Sequence, residues 1–154
     1  EIHTAVGSDN MWSISEEELM ERISESAKAT VDYFKDHISF INVMRNMSVS
    51  CDCEGVSAAP AVTPNVGILA SLDICAIDQA SVDLIYAMKE EDPHDLVERI
   101  KTRHGLRQLS YMQELSMGNR KYKLIDLDNN QSPLTLQEAV AHVVPFVEPK
   151  KVTL

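Results

Sequence analysis

Apolar residues at Leu19, Ile23, Ala27 and Val31 recur every fourth position, which predicts an amphipathic helix from Ser15 to about Lys35. Ser15 stands as its N-cap, and Glu16, Glu17 and Glu18 put negative charge in the first turn. Glu18, at the third helical position, completes a capping box. "ISFINVMR" (Ile38 to Arg45) is short and β-branched and reads as a strand. From Asn46 to Pro64 no period is visible, only Ser, Gly, Ala and Pro, so the chain forms a long loop of a kind that is often functional. "NVGILAS" (Asn65 to Ser71) is a continuous apolar run, suited to a strand buried on both faces. Asp73 can cap the helix that follows. At 100° per residue, Ile74, Ile77, Ser81, Leu84, Ile85 and Met88 share one face, with Asp78 at its flank and Asp83 well outside it.

Three weaker segments complete the chain. "DPHDLVERIKTRH" predicts a short helix with Asp92 as cap and Pro93 in the first turn, and "LRQLSYMQELSMG" another that stops at Gly118. "KYKLIDLD" alternates as a strand does, and Thr135 to Val144 read as a closing helix. Strands separated by helices predict an α/β class, a small layered domain with a short, mostly parallel sheet flanked by helices. Residues 1–154 form one domain in this reading, with 1–12 and 148–154 as loose ends.

Composition changes the picture in two respects. Lys and Arg number 14 against 24 Asp and Glu, a net charge of −10. That argues against non-specific nucleic-acid binding, which needs cations against phosphates, and against anionic membrane surfaces. No apolar run approaches the roughly 18–20 residues of a membrane span, and no basic-then-apolar leader is present. The three cysteines are an odd number, too few for a disulfide scaffold; they suit a reducing cytoplasm with free thiols. The first residue is Glu1 rather than Met, which leads us to expect an excised or processed piece of a longer protein.

The chemistry concentrates at Cys51-Asp52-Cys53. Two thiols one residue apart can reach one ion, and thiolate is a preferred ligand of zinc and of iron in iron–sulfur centres; equally, they can be small side chains packed under a loop. A tetrahedral site needs two further ligands. Cys75, Asp52, His37 or His104 could supply them, and no spacing singles one out. A cubane cluster takes four cysteine thiolates, more than this chain holds. A Walker loop, a dinucleotide fingerprint, a Gly-x-Ser-x-Gly elbow and a His-Glu-x-x-His pair are all missing. Asp73, Asp78 and Asp83 step by five residues, roughly 140° of rotation each, so they do not share a helix face. Asp73 reads as a cap, Asp78 as the carboxylate able to face a cleft, and Asp83 as an ordinary surface residue.

The stretch "CDCEGVSAAPAVTPNVGILASLDICAIDQASVDLI" resembles the C-terminal part of the domain of unknown function 362 family, a set of uncharacterised iron–sulfur-centre proteins. The matching features are Cys51-Asp52-Cys53, Pro60 and Pro64, Gly67 to Ser71, Asp73, Ala76, Asp78-Gln79-Ala80 and Asp83-Leu84. "FINV" and "HGLRQLSYMQELSMGNRKYKLI" extend the similarity over roughly Glu21 to Asp126. Two positions depart from it: Cys75 stands where the family has proline, and Glu54 where many relatives have a further cysteine. The resemblance implies a redox association without a settled reaction. It places any iron–sulfur cluster in a ferredoxin-like segment upstream of Glu1, with that segment or a redox partner protein as the partner.

These readings join in one expectation. Ligands of α/β sheets settle beyond the carboxyl ends of strands. If the two strands are parallel neighbours, the cysteine loop and the start of the next helix meet at one sheet edge. Cys51 and Cys53 then hold a metal or cofactor in a cleft lined by Asp52, Asp73, Asp78 and Gln79. The alternative is a non-catalytic binding or assembly module whose cysteines are structural.

Overall fold

A computed structural model describes residues 14–50, 57–89 and 91–145. Helix α1 (Glu16–Phe34) runs through a 3-10 turn (Lys35–His37) into β1 (Phe40–Met44); β2 (Gly67–Ser71) and α2 (Ile74–Ala87) follow. Helices α3 (His94–Thr102) and α4 (Gly105–Glu114), the strands β3 (Leu124–Asp126) and β4 (Ser132–Leu134), and α5 (Leu136–Val140) complete the order. The expected loose ends, 1–12 and 148–154, lie outside the described residues.

The mixture of helices and strands is as expected, but the strand direction is not. β1 and β2 are antiparallel, with Phe40 opposite Ser71 and Met44 opposite Gly67. β3 and β4 form a separate antiparallel pair. A parallel pair needs a crossover of a dozen or more residues, usually a helix, on its way back. Here the connection after β1 instead folds back as an extended stem, in which Met47 bridges Thr63. Nor is β2 buried on both faces: α2 covers one, and Ile68 on the other is 66% exposed.

Local signals explain most element ends. Ser15 Oγ accepts the Glu18 N–H at 3.1 Å, as an N-cap should. The Glu18 carboxylate, expected to return to the cap, pairs with Arg22 one turn on. The complete capping box lies at α5, where Thr135 and Glu138 satisfy each other's backbone N–H groups. Asp92 does not cap α3, since Pro93 takes the N-cap place with no side-chain bond. Gly118 does not stop α4 either. The helix closes by a Schellman motif, Met117 N–H to Met112 O at 3.0 Å and Ser116 N–H to Gln113 O at 3.0 Å, with left-handed Ser116 in the usual glycine place. The strand β4, absent from the sequence reading, is reached through Asn130 and Gln131. Both have positive φ, and the Ser132 N–H closes the turn on Asn129 O at 3.1 Å.

α2 is the central element. Leu84, Ile85 and Met88 pack with Met44 and Val66 in one core cluster, which also draws on Leu96, Val97 and Leu136. Cys75 joins Leu109, Met112 and Met117 in a second cluster, closed by Ala27 and Val31 of α1. The sheet therefore lies against α2, α2 against α4, and α4 against α1. Along the last contact Arg107 holds both Glu21 and Glu114, and Ser24 is wholly buried with its hydroxyl on the Met20 and Gln108 carbonyls.

Candidate functional site

The antiparallel pairing separates what a parallel pair would have joined. The loop carrying the cysteines leaves β1 at Met44, whereas α2 starts beyond Ser71, at the Phe40 end. Four residue steps at strand rise put these ends roughly 14 Å apart. The parallel pairing on which that meeting rested is thus corrected, and the base of the cysteine loop stands at the sheet end away from Asp73. Cys51, Asp52 and Cys53 lie outside the described residues. What is described is the base of their loop. Ser48 Oγ donates to Ala59 O at 2.8 Å, and Ala59 N–H donates to Ser50 Oγ at 2.7 Å, above the Met47–Thr63 bridge. Thr63 and Pro64 are fully buried beneath it. Val49 faces a cleft of about 460 Å³ with Glu16, Asp95, Glu98, Arg99, Thr102 and Arg103. The fold thereby brings two guanidinium groups to a stretch whose own sequence carries no cation between Arg45 and Lys89. Three carboxylates in the same cleft balance them.

At the start of α2, Asp73 is fully committed to structure. Its Oδ1 accepts the Ala76 N–H at 3.0 Å and caps the helix, while Oδ2 accepts the Asn119 N–H at 2.8 Å. The turn at Gly118 presses against this carboxyl group closely enough that any side chain there would collide with it. Two residues on, Cys75 is fully buried. Burial pushes its thiol up to about 11; the neighbouring Asp73 and Asp78 carboxylates add to the shift, and Arg120 opposes it. The thiol packs as a small apolar side chain within the cluster of Leu109, Met112 and Met117. That leaves two thiols in the chain, and four are needed for a cubane cluster, so these residues do not fit one by themselves. Among the described residues no group of three or more His, Cys, Asp or Glu is arranged to hold a metal ion. His104, once a candidate ligand, sits half-exposed in a left-handed turn beside Glu17.

Asp78 faces the inner side of β1, as its position at the flank of the stripe predicts. Asn42 Nδ2 donates to Asp78 Oδ1 at 3.0 Å and to Ser81 Oγ at 2.9 Å, and the Ser81 hydroxyl donates to Ile77 O. Desolvation raises the carboxyl group above its ordinary range, and the Asn42 amide partly reverses this. Gln79 points elsewhere. It donates to Asp83 Oδ1 at 2.7 Å and accepts from Arg120 Nε at 2.7 Å; the Tyr122 hydroxyl closes the group on Asp83 Oδ2 at 2.6 Å. Asp83 is therefore half-buried and bonded on both oxygens rather than an ordinary surface carboxylate. Burial, then the Asp83 hydrogen bond and charge, raise the Tyr122 hydroxyl well above its usual value.

So α2 carries two polar groups: Asp78 with Asn42 and Ser81 against β1, and Gln79 with Asp83, Arg120 and Tyr122 against the segment after α4. Asn42, Arg120 and Tyr122 escaped the sequence reading. For Asn42 a sign existed, since an amide at an inward position of an apolar strand requires a buried partner. Arg120 and Tyr122 lie in irregular chain, where no periodicity marks a face.

Compared with known proteins, residues 1–83 match the sequence model of a family described as a domain of unknown function (DUF362). The match takes in α1, β1, the loop, β2 and most of α2. No curated protein and no solved structure matches the chain.

Proposed function

Since the chain belongs to the DUF362 family, we propose that it is a redox-associated domain that presents Cys51 and Cys53 to a centre completed from outside this chain. The base of the loop supports this reading: hydrogen bonds through Ser48, Ser50 and Ala59 hold the chain together on either side of the thiol pair. Two thiolates would be half of a tetrahedral zinc or iron site. The other ligands, and any iron–sulfur cluster, would come from a ferredoxin-like segment or redox partner protein. The polar residues on α2 act in this reading as structure that holds β1 and the loop base in place.

Anaerobic addition of zinc or ferrous iron, with bound metal counted after gel filtration, tests the proposal. One metal per chain, or per two chains sharing ligands, that disappears in a Cys51→Ser, Cys53→Ser variant is the expected result. Retention of the same metal by the double variant, or no uptake by the parent chain when free imidazole is present to complete the ligand set, overturns it.

A second reading, an assembly module whose cysteines are structural, is favoured by the outer face of the sheet. Ile41, Val43 and Ile68 stand there 65%, 59% and 66% exposed, and Leu72 just beyond is 82% exposed. Apolar side chains grouped in this way mark a docking surface. Capture of a partner protein that persists at high salt and in the cysteine double variant would favour this reading over the first.

A further inference from the structure

β1 is an edge strand, paired with β2 on one side and with no described strand on the other. Met44 turns its carbonyl towards β2, where the Val66 N–H reaches it at 2.9 Å. Backbone groups alternate along a strand, so Ile41 and Val43 direct their N–H and C=O groups to the free edge. That edge borders an open groove of about 330 Å³, floored by Ser81, Val82 and Ile85 of α2 and flanked by Met44 and Met47. An unpaired strand beside an apolar groove is a template for another strand.

We propose that the occupant is β1 of a second copy of this chain, added antiparallel about a two-fold axis through Asn42. The sequence Phe40-Ile41-Asn42-Val43-Met44 is palindromic in character: large apolar residues at both ends, β-branched residues next, and the amide at the centre. Centred on Asn42, the pairing sets Ile41 opposite Val43 of the partner in both halves. Those residues carry the outward-turned backbone groups, so each pair forms two hydrogen bonds. Asn42 then meets its own copy at the wide-spaced position, where no backbone bond is required. A one-residue slip would oppose outward-turned to inward-turned groups and lose this match.

Charge supports a second copy as well. Two chains of net charge −10 repel each other over most of their surfaces, but between Ile38 and Leu72 the charged residues are Arg45, Asp52 and Glu54 alone. The chain can approach itself through this region without juxtaposing like charges. The interface is isologous, as a two-fold dimer requires, and it joins two two-stranded sheets into one of four strands. It does not depend on the thiol pair.

Sedimentation of the parent chain from low to high micromolar concentration, beside an Ile41→Lys, Val43→Lys variant, tests the inference. Both positions are exposed, so the variant keeps its fold, but in register it sets lysine opposite lysine across the pairing. The parent should reach dimer mass and the variant should stay monomeric. An Ile68→Lys variant, altered on the outer face of β2 away from the edge, should still dimerise. Hydrogen exchange gives an independent readout: the Ile41 and Val43 amides should gain protection with concentration in the parent chain. A parent that is monomeric throughout, a dimer that survives the double substitution, or a dimer lost equally through Ile68→Lys overturns the pairing, the last by pointing to face-to-face packing.

Discussion

Gly118 lies against Asp73 so closely that a methyl group on its Cα would stand 2.6 Å from Asp73 Cγ and 2.8 Å from Oδ2. This one carboxylate caps α2 and anchors the turn after α4, and the absence of a side chain at Gly118 is what lets it do both. Asp73→Ala should cost about 1–2 kcal/mol, the usual range for a lost cap. Gly118→Ala should cost a similar amount by displacing the carboxylate. The two should not add, because in the Asp73→Ala background the carboxylate that the methyl group would strike is gone. Urea denaturation of the four-member cycle gives the coupling directly, and additive costs would show that Gly118 acts without reference to Asp73.

Asp83 should behave as a structural carboxylate. Asp83→Ala leaves both Gln79 and Tyr122 without their acceptor in a half-buried site, so a loss of about 1.5–3 kcal/mol is expected. Tyr122→Phe, which removes one bond and keeps the ring, should cost less, about 0.5–1.5 kcal/mol. The exposed Asp95 supplies the comparison, its alanine variant staying within about 0.5 kcal/mol. A neutral Asp83→Ala would contradict the arrangement seen around α2.

The buried thiol of Cys75 makes the fold sensitive to alkali. Its folded pKa, about 11, lies above the ordinary 9.0, so the folded chain keeps a proton that the unfolded chain releases. The associated stability is complete below pH 9 and declines as pH rises from 9 to 11, by about 2–3 kcal/mol. Denaturation midpoints of the parent and Cys75→Ala chains, followed across that window, should converge as the parent loses stability. Parallel curves would mean that the thiol is not held neutral by its surroundings.

Asp78 has the same sign in an acid window. Its folded pKa is raised, so folding favours the protonated form and ionisation is a cost carried at neutral pH. Asp78→Asn preserves an acceptor for the Asn42 amide and removes that cost, so it should be neutral or stabilising at pH 7. The parent chain should regain ground relative to the variant as pH falls through the raised pKa. An Asp78→Asn chain that is much weaker at pH 7 would show that the charge itself is needed.

Much of this protein is legible along the chain. The stripe of α1, the Asp73 cap and the phase of α2 follow from 3.6-residue periodicity and capping chemistry, which are local. Asp78 turns to the sheet because it flanks that stripe, and this too is a property of one helix. Strand direction is different: it depends on how the connection after β1 returns, and the apolar run at β2 is compatible with either sense. The stem through Met47, Ser48, Ala59 and Thr63 decided for antiparallel, which put the base of that loop at the end of the sheet away from Asp73. Proximity between distant segments was equally out of reach. Nothing local to Asp83 foretells Tyr122, and nothing near Val49 foretells Arg99 and Arg103, because each pair is made by packing helices whose mutual placement the sum of many apolar contacts settles.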